Sequence, residues 1–150
     1  MIRKISTYSL KQPLDETENL VEFSEEEYAQ FALSGVNRTL RDERFYNAPD
    51  IDFLEGTWNL VIGTTDNIIY KVSAQNFVDD KSLSDEIFKK TLKEIEKTMG
   101  KNTEHPFLSR KYIWDDNEGN VLLNQVNKMG FNAINFILTS SIIREQVNNF

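Results

Sequence analysis

The sequence predicts an α+β fold: an antiparallel sheet of about five strands with one long helix packed on a face, preceded by an N-terminal strand and a short helix. Three observations carry that reading. Runs of strand-forming residues recur from Thr57 onward, separated by turn chemistry. A single apolar stripe at helical spacing, Ile87, Phe88, Leu92, Ile95 and Met99, interrupts them. No internal repeat or low-complexity tract competes with this pattern.

Residues 2–10 alternate loosely as a short edge strand, ended by Pro13. Ser24-Glu25-Glu26-Glu27 is a capping box, with Ser24 at the N-cap and Glu27 three residues on. Tyr28, Phe31 and Ala32 follow at helical spacing, Val21 or Phe23 is placed to staple the entry, and Gly35 is a stop. A helix is therefore predicted over 24–34. Residues 36–47 fit either a second helix or an irregular turn. Asn47-Ala48-Pro49-Asp50 breaks any helix, so 47–56 reads as a linking loop that returns Ile51, Phe53 and Leu54 to the core.

Trp58-Asn59-Leu60-Val61-Ile62 and Ile68-Ile69-Tyr70-Lys71-Val72 are strand runs joined through Gly63-Thr64-Thr65-Asp66-Asn67, a β-hairpin. The long helix follows over 84–99, begun by one of several caps between Asp79 and Ser84 and ended at Gly100, with Lys97 in its last turn. After a polar loop containing Pro106, strands are predicted at 112–114, 121–125 and 131–138. Asp115-Asp116-Asn117-Glu118-Gly119 is the hairpin loop between the first two, with Gly119 at the left-handed position. In the third, Asn132, Ile134, Phe136 and Leu138 share one face, while Ala133, Asn135 and Ile137 face away. Residues 141–149 read as a short closing helix.

The ββαβββ order over about 57–150 resembles the profilin-like and longin-like folds, which continue with a C-terminal helix. The resemblance is one of element order, no residue motif accompanies it, and fold does not fix function. A chain of 150 residues fits one domain, 1–150, in which 1–56 is an extension packed on the 57–150 core. A chain this long buries roughly 70% of its unfolded surface, enough for a core without staples. Ten Phe, five Tyr and two Trp supply much of that buried area.

The charge distribution is the main functional signal. Asp15, Glu16, Glu18, Glu22, Glu25, Glu26 and Glu27 are seven acids, and no Lys or Arg occurs between Lys11 and Arg38. Elsewhere acids and bases balance, so this block equals the whole net charge of -7. Such a block steers a basic partner. The expected function is a protein-binding module of the immunity or antitoxin type, with Glu16, Glu18, Glu22, Glu25 and Glu26 steering the encounter and nearby aromatics anchoring it. The local alternative is a solvated loop and a helix N-terminus, where Glu is favoured by the helix dipole. Pairing with Arg38, Arg41 and Arg44 inside the same fold would erase the patch, although exposed pairs add only about 0–1 kcal/mol each.

A second class is a small-molecule or sensor domain, with Trp58, Tyr70 and Trp114 lining a pocket between the sheet and the helix over 84–99. Catalysis finds no motif. Arg38, Arg41 and Arg44 are interleaved with Asp42 and Glu43, and no glycine-rich phosphate loop accompanies them. The oxygen-rich run from Asp115 fails calcium-loop spacing, because its glycine falls at Gly119 and the twelfth residue is Val126. His105 is the only histidine, and it lies in a polar loop beside Pro106. Asp79, Asp80, Asp85 and Glu86 sit where a helix begins, so capping accounts for them.

With no cysteine, disulfides, thiolate metal sites and a Cys nucleophile are excluded. No metal or cofactor is expected. The acidic balance disfavours nucleic acid and anionic membranes, and no apolar run approaches the roughly 20 residues of a bilayer span. The N-terminal residues carry no apolar core of a signal peptide, and a cytoplasmic location is expected.

Overall fold

The computed structural model describes residues 2–15, 19–33, 40–53, 56–101, 110–128 and 130–148. In chain order the elements are β1 (Lys4–Ile5), β2 (Tyr8–Ser9), β3 (Val21–Glu22), α1 (Glu25–Leu33), β4 (Arg44–Phe53), β5 (Gly56–Thr65), β6 (Ile68–Val78), α2 (Lys81–Met99), β7 (Lys111–Asp116), β8 (Gly119–Lys128), β9 (Phe131–Ser140) and α3 (Ile142–Asn148). β3 to β9 form one antiparallel sheet in the order β3-β4-β5-β6-β9-β8-β7, and β1 and β2 pair separately. The chain is thus α+β, an antiparallel sheet with one long helix.

The main sheet has seven strands rather than about five. The added ones are β3, in the stretch read as the entry to the first helix, and β4, in the region read as a helix or turn and then a linking loop. Pro49 misled that reading. It forbids helix, and here it lies in a bulge where Pro49 and Asp50 fall between the Ala48–Leu60 and Ile51–Trp58 pairs. A proline in a bulge removes no ladder hydrogen bond, so the strand survives it. Residues 2–10 are likewise not one strand. Ser6 takes a positive φ of 57° and turns the chain into a two-residue hairpin.

The hairpin turns are shorter than their polar composition suggests. β5 runs through Thr65, and Asp66 and Asn67 alone reverse the chain with φ of 51° and 63°. Two left-handed residues match the twist of the flanking strands. At the β7–β8 hairpin, Asp116 Oδ1 accepts from the Glu118 amide at 2.7 Å, leaving Asn117 and Glu118 as the loop. Gly119 follows at φ 147°, where a Cβ would come within 2.0 Å of the Thr139 carbonyl oxygen.

α2 begins at Lys81, three residues before the predicted start at 84. Asp80 is the N-cap, accepting from the Ser82 amide at 2.8 Å, and Gly100 closes the far end. Ile87, Phe88, Thr91 and Ile95 are buried. They face rows of residues that the register aligns across the strands: Ile62–Val72–Leu138–Val121–Trp114 and Leu60–Ala74–Phe136–Leu123–Tyr112. Ile5, Tyr8, Leu10 and Leu14 join the same core. Backbone bonds tie that N-terminal segment to β6, Lys11 N–H to the Ile69 carbonyl at 2.8 Å and Ile69 N–H to the Gln12 carbonyl at 2.9 Å. On the opposite face, α3 is tied down through Gln146, which donates to Thr65 Oγ1 at 2.9 Å and accepts from the Arg41 amide at 3.1 Å.

Candidate functional site

The most distinctive side-chain cluster lies where β3, the start of α1 and the start of β4 meet. The capping box forms as its sequence dictates: Glu27 N–H donates to Ser24 Oγ at 3.2 Å, and Ser24 N–H donates to Glu27 Oε1 at 3.0 Å. That entry fixes Phe23, whose amide bonds the Phe45 carbonyl at 2.8 Å. The ring centroids of Phe23 and Tyr28 each lie 5.7 Å from that of Phe45, and Tyr70 meets Phe45 edge-on at 6.4 Å.

A bulge puts Tyr70 there. Gly63 pairs with Lys71 and Thr64 with Ile69, so Tyr70 is the extra residue on β6. Ile69 and Val72 stay in the core under α2, while Tyr70 turns to the other face. Gly63 makes room, since a Cβ there would sit 3.0 Å from the Phe45 ring and 3.1 Å from the Tyr70 ring.

Glu43 is the polar centre. Its two carboxylate oxygens accept from the Tyr28 hydroxyl at 2.9 Å and the Tyr70 hydroxyl at 2.6 Å. Burial, reinforced by the bond to this carboxylate, pushes the Tyr70 phenol far above its ordinary range. Burial also pulls the Lys71 ammonium below its usual value, and the Glu43 charge opposes that shift. Above the cluster lies an open groove of about 360 Å³, with Phe23, Tyr28 and Phe45 among its walls and Glu22, Glu25, Asp42 and Glu43 as its acids. Among the described residues, Arg44 is the one base lining it. Its guanidinium holds Asp42 at 3.1 Å and reaches Glu22 at 3.7 Å, and these bonds raise its pKa.

The acids named from the sequence fall in different places. Glu22 and Glu25 line the groove, Glu26 is exposed on the first turn of α1, and Glu16 and Glu18 lie outside the described residues. Of the arginine triplet, Arg44 approaches Glu22, Arg41 pairs with Asp66 at 3.4 Å, and Arg38 lies outside the described residues, as does His105. Asp42 and Glu43, which the sequence interleaves with the arginines, both line the groove; Asp42 pairs with Arg44, whereas Glu43 is held by the two tyrosines. No local signal marks them, because the aromatic walls come from 23, 28 and 45, which only the sheet brings together.

Trp58, Tyr70 and Trp114 do not share a pocket. Trp58 and Trp114 are buried in the core under α2, where their indole N–H groups donate to the Phe53 carbonyl at 2.9 Å and the Gly100 carbonyl at 3.2 Å. Tyr70 belongs to the opposite face because of the bulge. The carboxylates near α2 are structural. Asp80 caps the helix, and Asp85 receives Arg110 at 3.0 Å, Gln125 at 3.0 Å and Lys81 at 3.1 Å. The Lys81 and Gln125 bonds, more than the Arg110 charge, hold the Asp85 carboxyl below the usual carboxylate range. A second open groove, of about 410 Å³ between the β1–β2 hairpin and the Pro49 bulge, has Asp50 as its one charged lining residue among the described residues.

Among the described residues, no group of three or more His, Asp or Glu is placed to hold a metal ion, and no helix is long and apolar enough to cross a membrane. No family model, curated protein or solved structure matches this chain.

Proposed function

We propose that this chain is a protein-binding module of the immunity or antitoxin type, and that the groove between α1 and β4 receives a basic segment of its partner. The observation that carries this reading is the pairing of an aromatic wall with a carboxylate rim. Four acids and one arginine surround the groove beside Phe23, Tyr28 and Phe45. An arginine or lysine side chain entering it gains from both components, since its stem covers apolar surface and its head meets carboxylates and ring faces. Glu43 contributes charge without being free to swing, because both its oxygens are already held by tyrosine hydroxyls. The exposed Glu25 and Glu26 extend the negative field outward, which raises on-rate and selectivity more than affinity.

A short arginine-rich peptide, titrated into labelled protein and followed by backbone amide NMR, tests the reading. Shifts concentrated at 22–28 and 42–45, weakening steeply as salt rises, are expected. Glu22→Lys with Glu25→Lys should lower the affinity at least tenfold. Shifts scattered over the surface, or an affinity indifferent to that double reversal, would overturn it. A pull-down from source cells at low and high salt then identifies the natural partner.

A further inference from the structure

The groove between α1 and β4 already holds a cation of its own. Asp42-Glu43-Arg44 enters β4 from a turn in which Asp42 takes a positive φ of 45°. Alternation then sends neighbouring side chains opposite ways. Glu43 turns to the Tyr28 and Tyr70 hydroxyls, while Asp42 and Arg44 meet each other two residues apart. Arg44 Nε donates to Asp42 Oδ1 at 3.1 Å. A second nitrogen of the same guanidinium stands 3.7 Å from Glu22 Oε1, on β3. Asp42, Glu22 and Arg44 all line the groove. One planar head thus spans two carboxylates carried by separate stretches of chain, a task that suits arginine better than a point charge.

The carboxylates of the groove differ in how firmly they are held. Glu43 is part-buried and takes two phenol bonds, at 2.6 and 2.9 Å. The side chains of Arg44, Asp42 and Glu22 are 50%, 54% and 51% exposed. At 3.7 Å the Glu22 contact is charge attraction without a hydrogen bond. Exposed pairs of this kind contribute little, because water competes for both charges and two long side chains must be held still. The fold does not depend on the guanidinium either. Arg44 is fixed by its backbone pairing with Thr64, and its head reaches solvent.

We propose, on the reading of this groove as the receptor of a basic segment, that Arg44 is a built-in competitor for that segment. In the free protein its guanidinium occupies the carboxylates of Asp42 and Glu22. A guanidinium of the partner takes them and sends the Arg44 head into solvent, while Glu43 stays with its tyrosines. The exchange makes the site selective. A lone cation gains at Asp42 and Glu22 only what Arg44 gives up, so it binds weakly. A partner side chain whose stem also covers Phe23 and Tyr28 gains the apolar contact in addition. The difference between those two affinities is the specificity of the groove.

Arg44→Gln compared with Arg41→Gln tests the displacement, with the same arginine-rich peptide titrated into the full chain of each variant and of wild type. Both changes remove one positive charge. Arg41 is not among the described residues that line the groove, and its guanidinium pairs with Asp66 at 3.4 Å. Arg44→Gln should tighten binding about fivefold, the upper end of what an exposed ion pair is worth, and Arg41→Gln less than about twofold. In wild type, the Arg44 Nε–H resonance should move to the position of a solvated arginine as the peptide saturates the groove. Thermal melting checks that both variants fold. Binding that Arg44→Gln changes no more than Arg41→Gln does, or that leaves the Arg44 resonance unmoved, overturns the displacement and leaves the groove reading standing. A peptide that binds neither wild type nor Arg44→Gln overturns both.

Discussion

The two faces of the main sheet are built from the same strands, and often from adjacent residues, yet they differ in almost every physical respect. Leu138 is fully buried beneath α2, while Ile137, its neighbour in β9, lies half-buried on the other side. Trp58 has no exposed surface, whereas Phe77 on the far face is half exposed. The α2 face is a closed core whose indole N–H groups find partners within it, although Asn76 Oδ1 is buried without one. The other face is divided. At one end Phe45, Tyr70 and Glu43 sit under α1 and α3 and open into an acidic groove; over the rest, apolar residues such as Ile137 flank the Gln75–Asn135–Asn124 amide ladder. Stability resides on one face, and the surfaces available for recognition on the other.

Substitutions can break that contrast, beginning with the largest effect. Trp58→Ala should cost about 3–5 kcal/mol and Leu138→Ala about 2–5 kcal/mol in urea unfolding, because each leaves a cavity in a core that cannot collapse around it. Ile137→Ala, one residue along, should cost about 1 kcal/mol or less in dilute protein, where the site is already wet. Equal losses at 137 and 138 in dilute solution would show that the two faces are not energetically distinct.

Removal of the Tyr70 hydroxyl probes the divided face. Tyr70→Phe leaves part of a charged carboxylate without its donor, a loss of about 1.5–3 kcal/mol. The pH dependence has a definite sign. The folded phenol is held protonated above its ordinary value, so its contribution is complete below about pH 10 and declines as pH rises further, where the unfolded phenol ionises. Ultraviolet titration should therefore find the Tyr70 phenol silent until alkaline unfolding, and the absorbance step that accompanies unfolding should shrink in Tyr70→Phe.

The smallest effect belongs to Asp85. Its carboxyl is held below the ordinary range by Lys81 and Gln125. The stability it supplies is present above the usual carboxylate pKa and fades as pH falls through the folded value. Asp85→Asn should remove that part of the acid-side slope in a melting series from neutral pH downward, while leaving the alkaline limb unchanged. An acid slope identical to wild type would show that these bonds hold the side chain without favouring its charge.

Much of the architecture was legible because it is local. The Ser24–Glu27 box, the turns of the α2 stripe with their end at Gly100 and the reversal of the chain before Ile68 each involve groups close together in sequence. Their geometry follows from side-chain type alone. The candidate site was legible only as charge. Glu22 and Glu25 stood out in the acidic block, but the aromatic wall beside them did not. Phe45 had been assigned to a stretch of helix or turn, and Asp42 and Glu43 to internal ion pairs.

The sequence by itself determined the single long helix, the strands that flank it, the absence of cysteine chemistry and the concentration of charge near the start of the chain. These depend on composition and on short-range periodicity. Only the tertiary structure decided which face each residue occupies after a bulge. At Pro49 the bulge preserves a strand that a proline would otherwise end, and at Tyr70 it carries a side chain from the core face to the opposite one. The side-chain period of a strand is two, so one inserted residue reverses every assignment beyond it. Whether a bulge forms there depends on the partner strand, not on the residues that bear it.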